Sequence, residues 1–174
     1  MNQSAHHLDI LPSRVNCLVL SLVDRKLLVP STAVAEVLLS SELPRGGDNG
    51  LCYGWITWRE QRIPLISLEV ALGSRCPALA GTYRIAVFNA IGEASESGFF
   101  AARLDALPQS VQISAQTVLG VISPPKGGLL MEAVVDEDRV WVPDLAAVES
   151  QVAAVVRADK SNKGRMFEKA PRAP

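Results

Sequence analysis

The chain has only two histidines, His6 and His7, adjacent in a polar lead-in. Neighbouring side chains of an extended segment point opposite ways, so the pair makes a poor two-ligand site. Without a placed imidazole there is no histidine general acid or base, no nucleophile triad and no histidine zinc site. Nor does any plausible helix carry a histidine to phosphorylate. Cysteine is almost as scarce. Cys17, Cys52 and Cys76 are odd in number, and their spacings of 35 and 24 fit no metal framework. In a reducing compartment they are free thiols, and Cys17, inside an apolar strand pattern, belongs to the core. Long apolar runs are missing too: none approaches the ~20 residues of a membrane helix. The stretch Met1 to Ser13 is polar, contains Asp9 and shows no signal peptide, so a cytoplasmic location is expected. Charge of either sign is not in excess. The net charge of −1 argues against nucleic acid or a membrane surface as the main partner.

Other routes to chemistry are equally bare. Gly46-Gly47-Asp48-Asn49-Gly50 is glycine-rich but lacks the Lys-Ser/Thr of a P-loop, and reads as a surface loop. No Gly-x-Ser-x-Gly elbow occurs. The acidic cluster Asp136-Glu137-Asp138 lacks further spaced ligands and reads as a solvated turn. The sequence therefore predicts no catalytic residues, no metal site and no cofactor.

What the chain does have is apolar residues, 48% of 174, enough for one domain or two small halves sharing a core. The pattern is mostly short strands. Val15 to Leu22, Leu27 to Val29, Tyr83 to Ala90, Phe99 to Leu107, Leu129 to Val135 and Arg139 to Val142 read as strands separated by turns, and Val34 to Leu39 and Leu119 to Ile122 as further short apolar runs. Pro30 closes the second run. Ser67 to Gly73 reads as one or two helical turns closed by Gly73. Pro143-Asp144 opens a helix over about 144–157, with Leu145, Val148, Val152, Val155 and Val156 on one face. Residues 1–14 are expected to be a flexible lead-in. Residues 158–174, with five basic residues, two acidic ones and few large apolars, are expected to be disordered.

The pattern also repeats. REQRIPLISL (59–68) is answered by DEDRVWVPDL (136–145), 77 positions later, and Val34-x-x-Val37 by Leu104-x-x-Leu107, 70 positions later. Two β units follow, each too small to bury much alone, so they share an interface. We expect two small barrels, the first over about 15–75 and the second over about 82–145, because closing a sheet removes exposed edges.

The most informative run is Gly54 to Ser67. Apolar residues lead in (Trp55, Ile56, Trp58) and out (Ile63, Leu65, Ile66), with Arg59-Glu60-Gln61-Arg62 between them. It reads as a β-hairpin with a charged tip, which suits recognition from a rigid scaffold. Trp55 and Trp58 fall on opposite faces of the strand, so one can be core while the other lies at an interface.

These residues carry a resemblance. Leu28-Val29-Pro30 followed by Val34-Ala35-Glu36-Val37, the hairpin Gly54 to Ile66, and the segment Leu68 to Gly73 together resemble CheW-like domains, the coupling proteins of bacterial chemosensory arrays. The likeness covers about residues 15–157. Trp-x-x-Trp-Arg at 55–59 and Ile-Ser-Leu-Glu at 66–69 are similar to the branch of chemosensory pili systems known as ChpC. The resemblance implies a mainly β protein of two five-stranded SH3-like barrels with a C-terminal helix. It also implies no enzyme activity, and an adaptor that joins a chemoreceptor's cytoplasmic tip to the regulatory domain of a CheA-like histidine kinase, here in type IV pilus twitching. Carried over by motif, Arg59 takes the place of the arginine that meets the receptor tip. Val34, Glu36 and Val37 take positions near the groove between the barrels. Trp58, Glu60 and Arg62 complete the expected receptor- or kinase-binding set. Glu60 stands where the family has glycine; glutamate does not readily adopt φ > 0, so an altered tip geometry is expected. An alternative of another class is a small β-barrel that binds nucleic acid, which requires a basic face with exposed aromatics.

Overall fold

The structure, a computed structural model, describes residues 14–40, 43–44, 50–77, 82–92, 98–114, 118–121, 128–135 and 137–168, with the backbone alone at 118–121 and 160–168. Among the described residues there are eleven strands: β1 (Val15–Ser21), β2 (Lys26–Pro30), β3 (Val34–Ser40), β4 (Cys52–Trp58), β5 (Gln61–Ile66), β6 (Tyr83–Asn89), β7 (Phe99–Leu104), β8 (Gln109–Ile113), β9 (Val118–Val121), β10 (Leu129–Val135) and β11 (Asp138–Pro143). The described residues also form a short 3-10 turn at Ser31–Ala33 and two α-helices, α1 (Leu68–Ala71) and α2 (Leu145–Glu168), each of which follows a hairpin. The expected strands and apolar runs all appear as strands, with one addition: β8 was not foreseen. Its sequence, QSVQI, offers only Val111 and Ile113 as apolar residues, and it is held by its ladder to β1.

The strands form two sheets, ordered β8-β1-β2-β11-β10-β9 and β3-β6-β7-β5-β4. The fold is thus mainly β with a C-terminal helix, as expected; of the two expected five-stranded units one sheet has five strands and the other six. The expected division of the chain near residue 75 does not hold. β3 to β7 form one uninterrupted unit, and it is inserted into the other, which takes β1 and β2 from the start and β8 to β11 from the end. The reason is ladder competition: β1 pairs with β8 over five positions, from Val15↔Ile113 to Val19↔Gln109, and β2 runs parallel to β11 at Leu27↔Trp141. We call these the inner unit and the outer unit.

The repeat survives in permuted form. The hairpin and helix β4–β5–α1 answer β10–β11–α2, as the 77-residue spacing requires. The parallel contact β5·β7, at Leu65↔Ala101 and Ile66↔Ala102, answers β11·β2. By sheet order β3 then answers β8, and β6–β7 answer β1–β2. The proposed match of Val34 with Leu104 fails, because Leu104 ends β7.

Among the described residues, alternating side chains form three cores. Ile63, Leu65, Val87 and Ala101 fill the inner unit, with Tyr53 and Trp58. Cys17, Val19, Leu28, Val135 and Val140 fill the outer unit. Between them lies a core shared by both: Leu20, Leu27 and Val29 from one side, Ile66, Phe88, Phe100 and Leu104 from the other, and Leu145, Val148 and Val152 from α2. Phe88 and Phe100 are cross-strand partners, stacked at 5.0 Å. Each large side chain fully buried here contributes ~1.5–3 kcal/mol relative to exposure.

Both helices are capped by the residue before them. Ser67 accepts the Val70 N–H at 3.3 Å, and Asp144 accepts the Ala147 N–H at 3.0 Å. Gly73, at φ +85°, closes α1 as expected. α2 runs past the expected end at 157. Residues 158–168 of the segment expected to be disordered continue it, because Ala, Lys, Arg, Met and Glu are good helix formers and propagation from an existing helix is cheap. The expected lead-in before residue 14, the glycine-rich loop at 45–49 and residues 169–174 lie outside the described residues.

Candidate protein-interaction site

The charged hairpin is β4 and β5 in the register Ile56↔Ile63, Thr57↔Arg62 and Trp58↔Gln61, which leaves Arg59 and Glu60 as a two-residue turn. Both have positive φ, 45° and 64°. A two-residue turn with φ > 0 at both positions matches the right-handed twist of the flanking strands and normally uses Asn-Gly. The expectation of an altered tip is therefore corrected: Glu60 adopts the left-handed conformation, because the register on either side is fixed by Trp58 and Ile63, both buried.

β3 and β4 are the two edges of the inner sheet, yet their side chains meet. Glu36 Oε2, on β3, accepts hydrogen bonds from Trp58 Nε1 at 2.8 Å and from Arg59 Nη2 at 3.1 Å. The sheet therefore curls until its edges face one another, and this carboxylate bridges them. Leu38 of β3 and Ile56 of β4 pack on the same inner core. Trp58 is 6% exposed and meets Phe99 edge-on at 4.8 Å. The Arg59 guanidinium lies 4.6 Å from the Trp58 ring while its side chain stays 68% exposed. One carboxylate thus satisfies a buried indole N–H and holds an arginine over the ring, with much of the guanidinium side chain still open to solvent.

The other expected residues divide. Val34 is half-buried against the shared core, and Val37 is half-buried on β3. Glu60 is exposed at the tip. Arg62 covers Trp55 at 4.5 Å, and because Trp55 and Trp58 are three apart on one strand, this pair lies on the opposite face. The structure thus joins Glu36, Trp58 and Arg59 into one cluster and leaves Arg62 outside it. Trp55, half-buried under Arg62, was missing from the expected set; its signal was the Trp-x-x-Trp alternation itself.

No described feature supplies the basic face with exposed aromatics that nucleic-acid binding requires: Trp58 is buried, and Trp55 and Trp141 are half-buried. Among the described residues no group of three or more His, Cys, Asp or Glu is placed to hold a metal ion. Asp138 is engaged by Lys26 Nζ at 2.7 Å. Cys17 and Cys52 are buried, Cys76 is exposed, and burial raises the Cys17 and Cys52 thiols above their ordinary range. None of the described helices is long and apolar enough to cross a membrane.

The chain belongs to the family of CheW-like domains, whose model matches residues 16–153, from β1 into α2 and so across both units. Among solved structures it is similar to the scaffolding protein TtCheW from Thermoanaerobacter tengcongensis, at 18% identity and a TM-score of 0.62, over 82% of this chain and 92% of that one. At that identity the likeness speaks for the fold. No curated protein matches the chain at a significant level.

Proposed function

We propose that this protein is a non-enzymatic coupling adaptor of a chemosensory pathway. It binds the cytoplasmic tip of a methyl-accepting chemoreceptor and the regulatory domain of a CheA-like histidine kinase, in a system that controls type IV pili and twitching motility. The observation that carries the reading is the Glu36–Trp58–Arg59 cluster: a guanidinium pinned to a buried indole at a rigid hairpin tip, with its outer edge open to a partner. A preorganised arginine beside half-buried Val34 and Val37 suits a helical hairpin with an acidic residue next to apolar ones. Membership of the CheW-like family and likeness to a protein described as a scaffold support the same reading. The pilus branch rests on the Trp-x-x-Trp-Arg and Ile-Ser-Leu-Glu wording alone.

Calorimetry with a receptor signalling-tip fragment and a kinase regulatory domain from the same cell tests it. Binding to both is expected. Arg59→Glu should weaken the receptor fragment about tenfold or more, a change of ~1.4 kcal/mol. Its exposed ion pair is worth at most ~1 kcal/mol, so folding should survive. An affinity of the variant for both partners unchanged from the parent's would remove the hairpin from the interface, and binding to neither by the parent chain would reject the adaptor reading.

A further inference from the structure

The deepest charges in the described structure are not at the hairpin tip. Glu69 and Glu149 are each 1% exposed. Each sits on the helix that follows its own unit's hairpin, and each reaches the backbone of the other unit. Glu149 Oε2, on α2 of the outer unit, accepts from the N–H groups of Ile91 at 2.8 Å and Gly92 at 2.9 Å, just beyond β6 of the inner unit. Glu69 Oε1, on α1 of the inner unit, lies 3.5 Å from the N–H of Val23, in the β1–β2 turn of the outer unit, while its Oε2 accepts from Ser67 Oγ at 2.8 Å. Because β1–β2 is the permuted counterpart of β6–β7, and α1 that of α2, these are one contact made twice in opposite directions.

A carboxylate taken out of water is costly unless charge-assisted bonds replace its hydration. Spending two such groups on the seam calls for a reason the shared core does not supply. Apolar burial is itself non-directional, so it adds no bond aimed at one angle between the two sheets. Hydrogen bonds aimed at backbone N–H groups are directional. Other bonds cross at the same seam: Gln151 Nε2 donates to the Ala71 carbonyl at 3.1 Å, and Ser74, just past α1, bonds both Asp24 and Arg25 of the β1–β2 turn. The two arms are unequal. Across the seam Glu149 makes two short bonds and Glu69 one long one, although Glu149 Oε1 is buried with no hydrogen-bond partner among the described residues.

We propose that Glu149 and Glu69 are reciprocal latches that fix the relative orientation of the two units, with Glu149 the stronger arm. The inference concerns the fold and holds whatever the partner is.

Residual dipolar couplings and amide exchange on the full chain test it with Glu149→Gln, Glu69→Gln and the double variant. In the parent protein both sheets should fit one alignment tensor. In E149Q the sheets should need two tensors, and the Ile91 and Gly92 amides should exchange about tenfold faster, on the scale of one lost charge-assisted bond. E69Q should show the same loosening to a smaller degree, with faster exchange at Val23, and the double variant should exceed either. E69Q reads the reciprocity independently should E149Q fail to fold. A lower melting temperature with a single unchanged tensor would make the glutamates ordinary stabilising groups and overturn the proposal, as would unchanged orientation in E69Q and in the double variant.

Discussion

Arg59 and Glu60 show what a single residue costs at a place a pattern demands. An L-residue in the left-handed region is ~1–2 kcal/mol less favourable than in ordinary conformations, and glycine escapes most of that. Glu60→Gly should therefore stabilise the protein by ~1 kcal/mol net of glycine's chain entropy, read as a higher urea midpoint at constant slope. A lower midpoint would mean that the Glu60 side chain is worth more than its backbone strain. Tyr53 is a second case. Burial pushes its hydroxyl up to about 12. A phenol whose folded pKa is raised contributes stability that is complete below its unfolded value of ~10 and is lost as pH rises through the folded value. Unfolding free energy should thus fall between about pH 10 and pH 12. The phenolate absorbance of Tyr53 should appear only at the top of that window, and its appearance near pH 10 would contradict the burial.

At the scale of elements, the hairpin-plus-helix module was legible and the partner of each strand was not. Alternation, turn residues and caps are local, so β4–β5–α1 and β10–β11–α2 can be read from short windows. Asp144→Ala removes the acceptor for Ala147 N–H and should cost ~1 kcal/mol, with circular dichroism following the loss of helix against urea. An unchanged midpoint would mean that packing of Leu145 and Val148 alone starts α2. β8 was missed because an edge strand with two apolar residues hardly rises above the pattern of a loop. The end of α2 differs from the expectation for the converse reason: few large apolar residues suggest disorder, while helix propensity acts without burial. The candidate site divided along the same line. Arg59 at a hairpin tip can be read from neighbours, whereas the hydrogen bond that Trp58 donates to Glu36 joins two sheet edges 22 positions apart in the chain.

For the whole molecule, the shared core makes independent unfolding of the units costly. Leu27, from the outer unit, is fully buried in it beside side chains of the inner unit. Leu27→Ala should cost ~2–5 kcal/mol, and thiol labelling of Cys17 in the outer core should still coincide with the fluorescence change of Trp58 in the inner core along a urea titration. Separated midpoints would show two domains that merely touch. The sequence by itself determined the local modules, the family and the charged tip, because short-range periodicity and local motifs carry that information. Only the tertiary structure decided that the inner unit is inserted into the outer one, that Glu36 meets Trp58, and that Glu69 and Glu149 cross the seam. Those outcomes depend on which distant strands win each other's ladders and which carboxylates are then left without water, and no window of neighbouring residues contains that competition.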